Sequence, residues 1–214
     1  MQIVGIFLAL AIGRATTGAA VCFPAAGRVA VHTQSPKLNR TTRAYVSVRR
    51  GKQELTRFDF EMARHLSAEQ VRLSPFPARL TVVNASGIES PLVVATAGTH
   101  GGSDASFETM VIAEAGGSIR EVSERIWTTT QDAVCMNRAM RRPEIVVLTN
   151  VWGHEAHYAP HVFTLRRYRW DGTTFRQTTT QTTRRKVASW RRAAKELRVS
   201  CRTDLTELLV PDER

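Results

Sequence analysis

Between residues 90 and 178 the chain writes nearly the same hydrophobic pattern twice. SPLVVATAG, a loop, SFETMVIAE, AGGS and IREV are answered by RPEIVVLTN, a second loop, HVFTLRRYRW, DGT and TFRQT. Pro91 and Pro143 open the two copies 52 positions apart, and the turn glycines Gly117 and Gly172 lie 55 apart. A repeat of this length predicts stacked supersecondary units, each unable to bury its apolar face alone. The runs VVATA and IVVL are continuous and β-branched, which predicts strands covered on both faces or central in a sheet. FETMVIAE and VFTLRRYRW predict longer strands, each closed by a Gly turn suited to a tight hairpin. In the second of these, alternation sends Tyr168 and Trp170 inward and the arginines between them outward.

The flanking pattern is less regular. Residues 21–41 mix Pro24, Gly27, Pro36 and Asn39 with little periodicity and predict an irregular lead-in. AYVSV and ELTRFDF, on either side of Gly51, predict a β-hairpin. Residues 61–70 predict a short surface helix, ended by Pro75 and Pro77. Between the copies, IWTTT reads as a strand edge and QDAVCMNRAM as a helical turn or loop, while the Thr-rich QTTTQTT reads as the tail of a strand. In KVASWRRAAKELRV, Val187, Trp190, Ala194 and Leu197 recur at three- and four-residue steps. That spacing predicts an amphipathic helix with Arg191, Arg192, Lys195 and Arg198 opposite or flanking its apolar face. The fold expected is mainly β: two related antiparallel β units, as a sandwich or a partial propeller-like stack, with an N-terminal hairpin and a C-terminal α-helix. One β-rich domain would span residues 21–214, with the lead-in and hairpin in 21–75, the tandem repeat in 76–183 and the helical segment in 184–214.

Residues 3–12 (IVGIFLALAI) are apolar but too few to span a bilayer, and Arg14 and a run of small residues follow them. This predicts a signal peptide over residues 1–20, a periplasmic or secreted location, and no transmembrane segment after cleavage. Only three cysteines occur, at 22, 135 and 201. In an oxidising compartment that count predicts one disulfide, assigned to Cys135 and Cys201, with Cys22 left over. The formal net charge is +11, and loss of Arg14 with the leader would leave +10. Such a chain favours anionic material, and export would make nucleic acid an improbable partner, leaving a protein or an anionic polysaccharide or envelope polymer.

A polar Gly turn running into Pro-Leu-Val-Val, then a loop, a long strand and a Gly hairpin, resembles the FG-GAP or VCBS type of repeat over about residues 81–177. Those repeats build propeller blades and related β modules of extracellular proteins, and the resemblance implies the same architecture here. The family's calcium loop is Asp-rich. The matching positions here are Asn84, Ser86, Gly87 and Ser90, and in the second copy Arg141, Arg142 and Glu144, so calcium binding does not carry over.

Each copy places its most polar connection after its first strand: GTHGGSDAS with His100 and Asp104, and VWGHEAHYAPH with Trp152, His154, Glu155 and His157. Equivalent connections fall on one edge of a repeat stack, so these six residues form the expected ligand-binding rim. The histidines with Asp104 or Glu155 are zinc-type ligands, and zinc is the cofactor that a metal-dependent hydrolase built on this rim would need. HEAHY is not a zincin helix, because Tyr158 stands where the second His of H-E-x-x-H belongs. A serine nucleophile at Ser103 or Ser106 lacks any G-x-S-x-G context. The expected function is therefore an exported, non-enzymatic binding module contacting a partner protein or an anionic envelope polymer, with no cofactor. The metal-dependent hydrolase is the alternative.

Overall fold

The computed structural model describes residues 18–34, 44–62, 78–101, 104–137, 143–153, 156 and 159–200. They form three antiparallel meanders and one helix. The first sheet contains β1 (Gly18–Phe23), β2 (Gly27–Gln34), β3 (Tyr45–Arg50) and β4 (Gln53–Asp59), hydrogen-bonded in chain order. The second runs β5 (Ala78–Val83), β6 (Leu92–Gly101), β7 (Asp104–Ala115) and β8 (Ser118–Glu121). β9 (Ile126–Thr129) pairs with the other half of the same β7 edge. The third runs β10 (Ala133–Asn137), β11 (Glu144–Val151), β12 (Val162–Trp170) and β13 (Phe175–Thr182). Helix α1 (Trp190–Glu196) follows.

Why three layers form is visible in β6 and β7. Val93, Ala95 and Ala97 with Met110 and Ile112 share a core with Val21, Phe23, Val29, Val31, Val46 and Val48 of the first sheet. The intervening Leu92, Val94, Val111 and Ala113 share a core with Val134, Met136, Ile145, Val147 and Tyr168 of the third. A strand sends successive side chains to opposite faces, so the continuous apolar runs are those of a sheet buried on both sides. The third sheet repeats the arrangement, its other face turning Cys135, Val146, Leu148 and Leu165 to Ala193 and Ala194 of α1. Each fully buried Val, Leu or Phe contributes roughly 1.5–3 kcal/mol relative to exposure.

Two expectations need correction. The stretch expected as an irregular lead-in is the hairpin β1–β2, which gives the first sheet the same up-and-down order as the other two. Pro24 and Gly27 mark its turn; Gly27 has φ 66°, a conformation that favours glycine, while Val21, Phe23, Val29 and Val31 point into the core. The stretch QDAVCMNRAM, expected as a helical turn or loop, instead supplies β10, every residue of which is buried. The expected helix over residues 61–70 lies mostly outside the described residues. Gly18, Ala19 and Ala20 pair with His32, Val31 and Ala30, so cleavage after Ala20 would remove half of β1. No helix among the described residues is long and apolar enough to cross a membrane.

Polar clasps hold neighbouring sheets together at the rim where the β1–β2, β5–β6, β7–β8 and β12–β13 turns meet. The Glu114 carboxylate accepts the Ala25 N–H at 2.8 and 3.0 Å and the Ala26 N–H at 3.1 Å, tying the first sheet to the second. The Val122 carbonyl accepts the Phe175 N–H at 2.6 Å and the Thr174 hydroxyl at 2.8 Å, tying the second to the third. Val122 sits in the break between β8 and β9, which is what turns its carbonyl toward the next sheet.

Candidate ligand-binding surface

The expected rim is only partly described. His100 and Asp104 stand on facing strands near the tip of the β6–β7 hairpin, where Gly101 pairs with Asp104, so the ladder continues through most of the expected loop. Trp152 begins the β11–β12 connection, 40% exposed, its ring 5.0 Å from that of His161. His154, Glu155 and His157 lie outside the described residues. Among the described residues no three His, Cys, Asp or Glu side chains are grouped as a metal site. At the opposite rim, Glu89, Glu114 and Asp171 line a cavity of about 710 Å³ bounded by turns of all three sheets. Two of these carboxylates are occupied structurally: Glu114 in the clasp above, Asp171 in its own turn.

Two groups of cations stand out among the described residues. In the first, each guanidinium already faces a carboxylate. Arg125 donates to the fully buried Glu108 at 2.7 Å and to Glu121 at 2.7 Å. Burial alone lowers the Arg125 pKa, but the hydrogen bonds and charges of Glu121 and Glu108 more than reverse that, and the net direction is upward. Arg167 and Arg169 both reach the buried Glu144, each at 3.3 Å. Arg176 pairs with Asp171 at 2.5 Å. The backbone N–H groups of Thr173 and Thr174, and then Arg176, hold the Asp171 carboxyl well below the usual carboxylate range. The basic strand face read from the sequence is thus largely committed to internal pairing.

The second group is concentrated after β13. Residues 184–198 contain seven Lys or Arg and one carboxylate, Glu196. His161 and Val187 form a two-bond bridge, at 3.0 and 2.8 Å, which pulls this segment across the end of the third sheet. Ser189, in extended backbone, caps α1 by accepting the Arg192 N–H at 3.4 Å, the preference of a short hydroxyl side chain at an N-cap. Ala193 and Ala194 press onto the sheet, with Val187, Trp190, Leu197 and Val199 half-buried around them. The apolar face read from the sequence is present, although Val187 precedes the helix. Arg184, Arg185, Arg192, Lys195 and Arg198 are left exposed. Among the described residues Arg184, Arg192, Lys195 and Arg198 form no ion pair, whereas Glu196 accepts the Arg184 backbone N–H at 2.7 Å and lies 3.6 Å from Arg185.

Two clefts flank this carboxylate. One, of about 710 Å³, is lined by Pro160, Arg185, Lys186, Arg192 and Lys195. The other, of about 800 Å³, is lined by Gln181, Thr182, Arg184, Arg185 and Arg198. Arg185 and Glu196 belong to both. Arg198 follows the helix with φ 53°, the one non-glycine residue with positive φ among those described. Helices commonly end on a left-handed residue, usually glycine, because a Cβ is disfavoured there. Sequence periodicity supplied the cations but carried no signal for this backbone position. Compared with family models, curated proteins and solved structures, the chain matches none.

Proposed function

We propose that the chain is a non-enzymatic binding module, exported to the periplasm or beyond the cell, whose ligand is an anionic polymer. One observation carries the reading: charge is segregated within the molecule. Arg125, Arg167, Arg169 and Arg176 face carboxylates, while residues 184–198 gather seven cations around a single one, Glu196. Like charges gathered at one surface repel each other in the free protein, and a polyanion relieves that repulsion while releasing its own counterions. The apolar run at residues 3–12 supports export, with a cleavage point upstream of Gly18 preserving all of β1.

A disulfide between Cys135 and Cys201 belongs to the same proposal. Cys22 is an exposed free thiol, whereas Cys135 faces the cluster on which Val199, two residues before Cys201, also packs. The ligand reading is tested by retention of the full chain on immobilised heparin. Binding that weakens steadily as salt rises is expected, and absence of binding at low ionic strength, or affinity indifferent to salt, would contradict it.

A further inference from the structure

Resting on that reading, we infer that the two clefts beside α1 form one continuous docking groove for a linear acidic polysaccharide. The clefts share Arg185 and its partner Glu196, so one extended chain can pass the Arg185 guanidinium and lie against Arg192 and Lys195 on one side and Arg184 and Arg198 on the other. Guanidinium groups suit planar carboxylate and tetrahedral sulfate alike, and four of the cleft cations are arginines. Between and beside them stand neutral hydrogen-bonding groups, Gln181 and Thr182, which match the hydroxyls of a sugar. Among the described residues, no aromatic side chain lines either cleft. Single-stranded nucleic acid is gripped by aromatic rings on which bases stack, so this lining favours a sugar polymer over a base-bearing one.

Arg198 is the second, independent observation. Its backbone occupies a left-handed position at the end of the helix, where glycine would be accommodated at less steric cost. A residue held in a disfavoured conformation beside a cleft is accounted for if its side chain serves that cleft. Arg198→Gly therefore separates binding from stability: the strained position is relieved while the cation is lost.

The test measures affinity of the full chain for heparin, for polygalacturonate and for a single-stranded oligonucleotide at one ionic strength. It compares the unaltered chain with R198G, the double reversal R192E/K195E, and R176E on the strand face, with melting temperature as the fold control. Expected are polysaccharide binding tighter than oligonucleotide binding, a loss of about tenfold or more for R192E/K195E, and weaker binding by R198G with melting temperature unchanged or raised. R176E should leave affinity nearly unaltered. If polysaccharide binds but R176E weakens it while the cleft variants do not, the groove is wrong and the binding-module reading survives. Tighter binding of the oligonucleotide would overturn the ligand class. If none of the three polyanions binds, the functional reading falls together with the inference.

Discussion

At the scale of single residues, the most consequential groups are two buried carboxylates that hydrophobic patterning does not reveal. Glu108 is fully buried in β7, where it accepts the Glu61 and Met62 backbone N–H groups at 3.1 and 2.8 Å in addition to Arg125. Removing one partner of such a pair leaves a buried charge without compensation, whereas replacing both with apolar groups often costs little. Arg125→Met is expected to destabilise the fold by about 2–3 kcal/mol, at the lower end of the usual range because Arg125 is partly exposed. The double variant Glu108→Gln/Arg125→Met should recover part of that loss; urea unfolding of it and of both single variants checks this, and a double loss equal to the sum of the single losses would show that the pair is not coupled.

Gly98 is a glycine whose lack of a Cβ is demanded by packing in the middle of the second sheet. A Cβ there would stand 2.3 Å from Cδ1 of Phe107, its cross-strand partner. Gly98→Ala should cost about 1–3 kcal/mol, as overpacking does, visible as a lower urea midpoint.

Asp171 makes a pH prediction with a definite sign. Its folded pKa lies below the ordinary value of 3.8, so its contribution to the β12–β13 turn is complete above that value and is shed as pH falls below it toward the folded value. In an NMR titration, the Thr173 and Thr174 amide resonances should stay fixed on acidification through pH 3.8 and shift only at lower pH. A transition centred at the ordinary carboxylate value would show that the turn does not hold the anion.

Elements were legible wherever local pattern and tertiary context agree. The runs VVATA and IVVL announced β6 and β11, because a strand covered on both faces has no polar side to interrupt it. The AYVSV and ELTRFDF hairpin formed as β3 and β4 around Gly51, whose φ is 59°. Tyr168 and Trp170 are buried as their alternation with arginine implied. β1 and β2 were not legible, because Pro24 and Gly27 punctuate a stretch too short to establish a period. They are the turn itself, and only stacking on the second sheet shows that Val29 and Val31 form an apolar face. β10 was missed for a related reason: a five-residue strand buried on both faces lacks the alternation that separates strand from loop. The C-terminal helix was readable from its apolar spacing and its cations, but the clefts beside it were not, since they depend on β13 and the His161–Val187 bridge.

At the scale of the whole molecule, the same up-and-down strand order recurs in three sheets. Four-stranded meanders begin at Gly18, Ala78 and Ala133, and the turns of all three meet at one rim. The recurring unit is thus the up-and-down sheet, and the similar hydrophobic patterns in the sequence fall in the second and third of them. A stack of this kind is capped where α1 covers the third sheet, and residues 184–198 around that cap hold seven cations and one carboxylate. Anchoring of the cap through Cys135 and Cys201 is expected to make the C-terminal segment sensitive to reductant. Peptide mapping without reduction should recover a peptide linking the two cysteines and should find Cys22 alkylated; a free Cys135 would remove that anchor.

Hydrogen–deuterium exchange of the full chain, with and without heparin, tests the location of binding most directly. Slowed exchange confined to residues 181–198 is the outcome required by a cationic groove beside α1. Protection at the β6–β7 and β11–β12 connections with none over 181–198 would contradict it and return the site to the histidine-bearing rim.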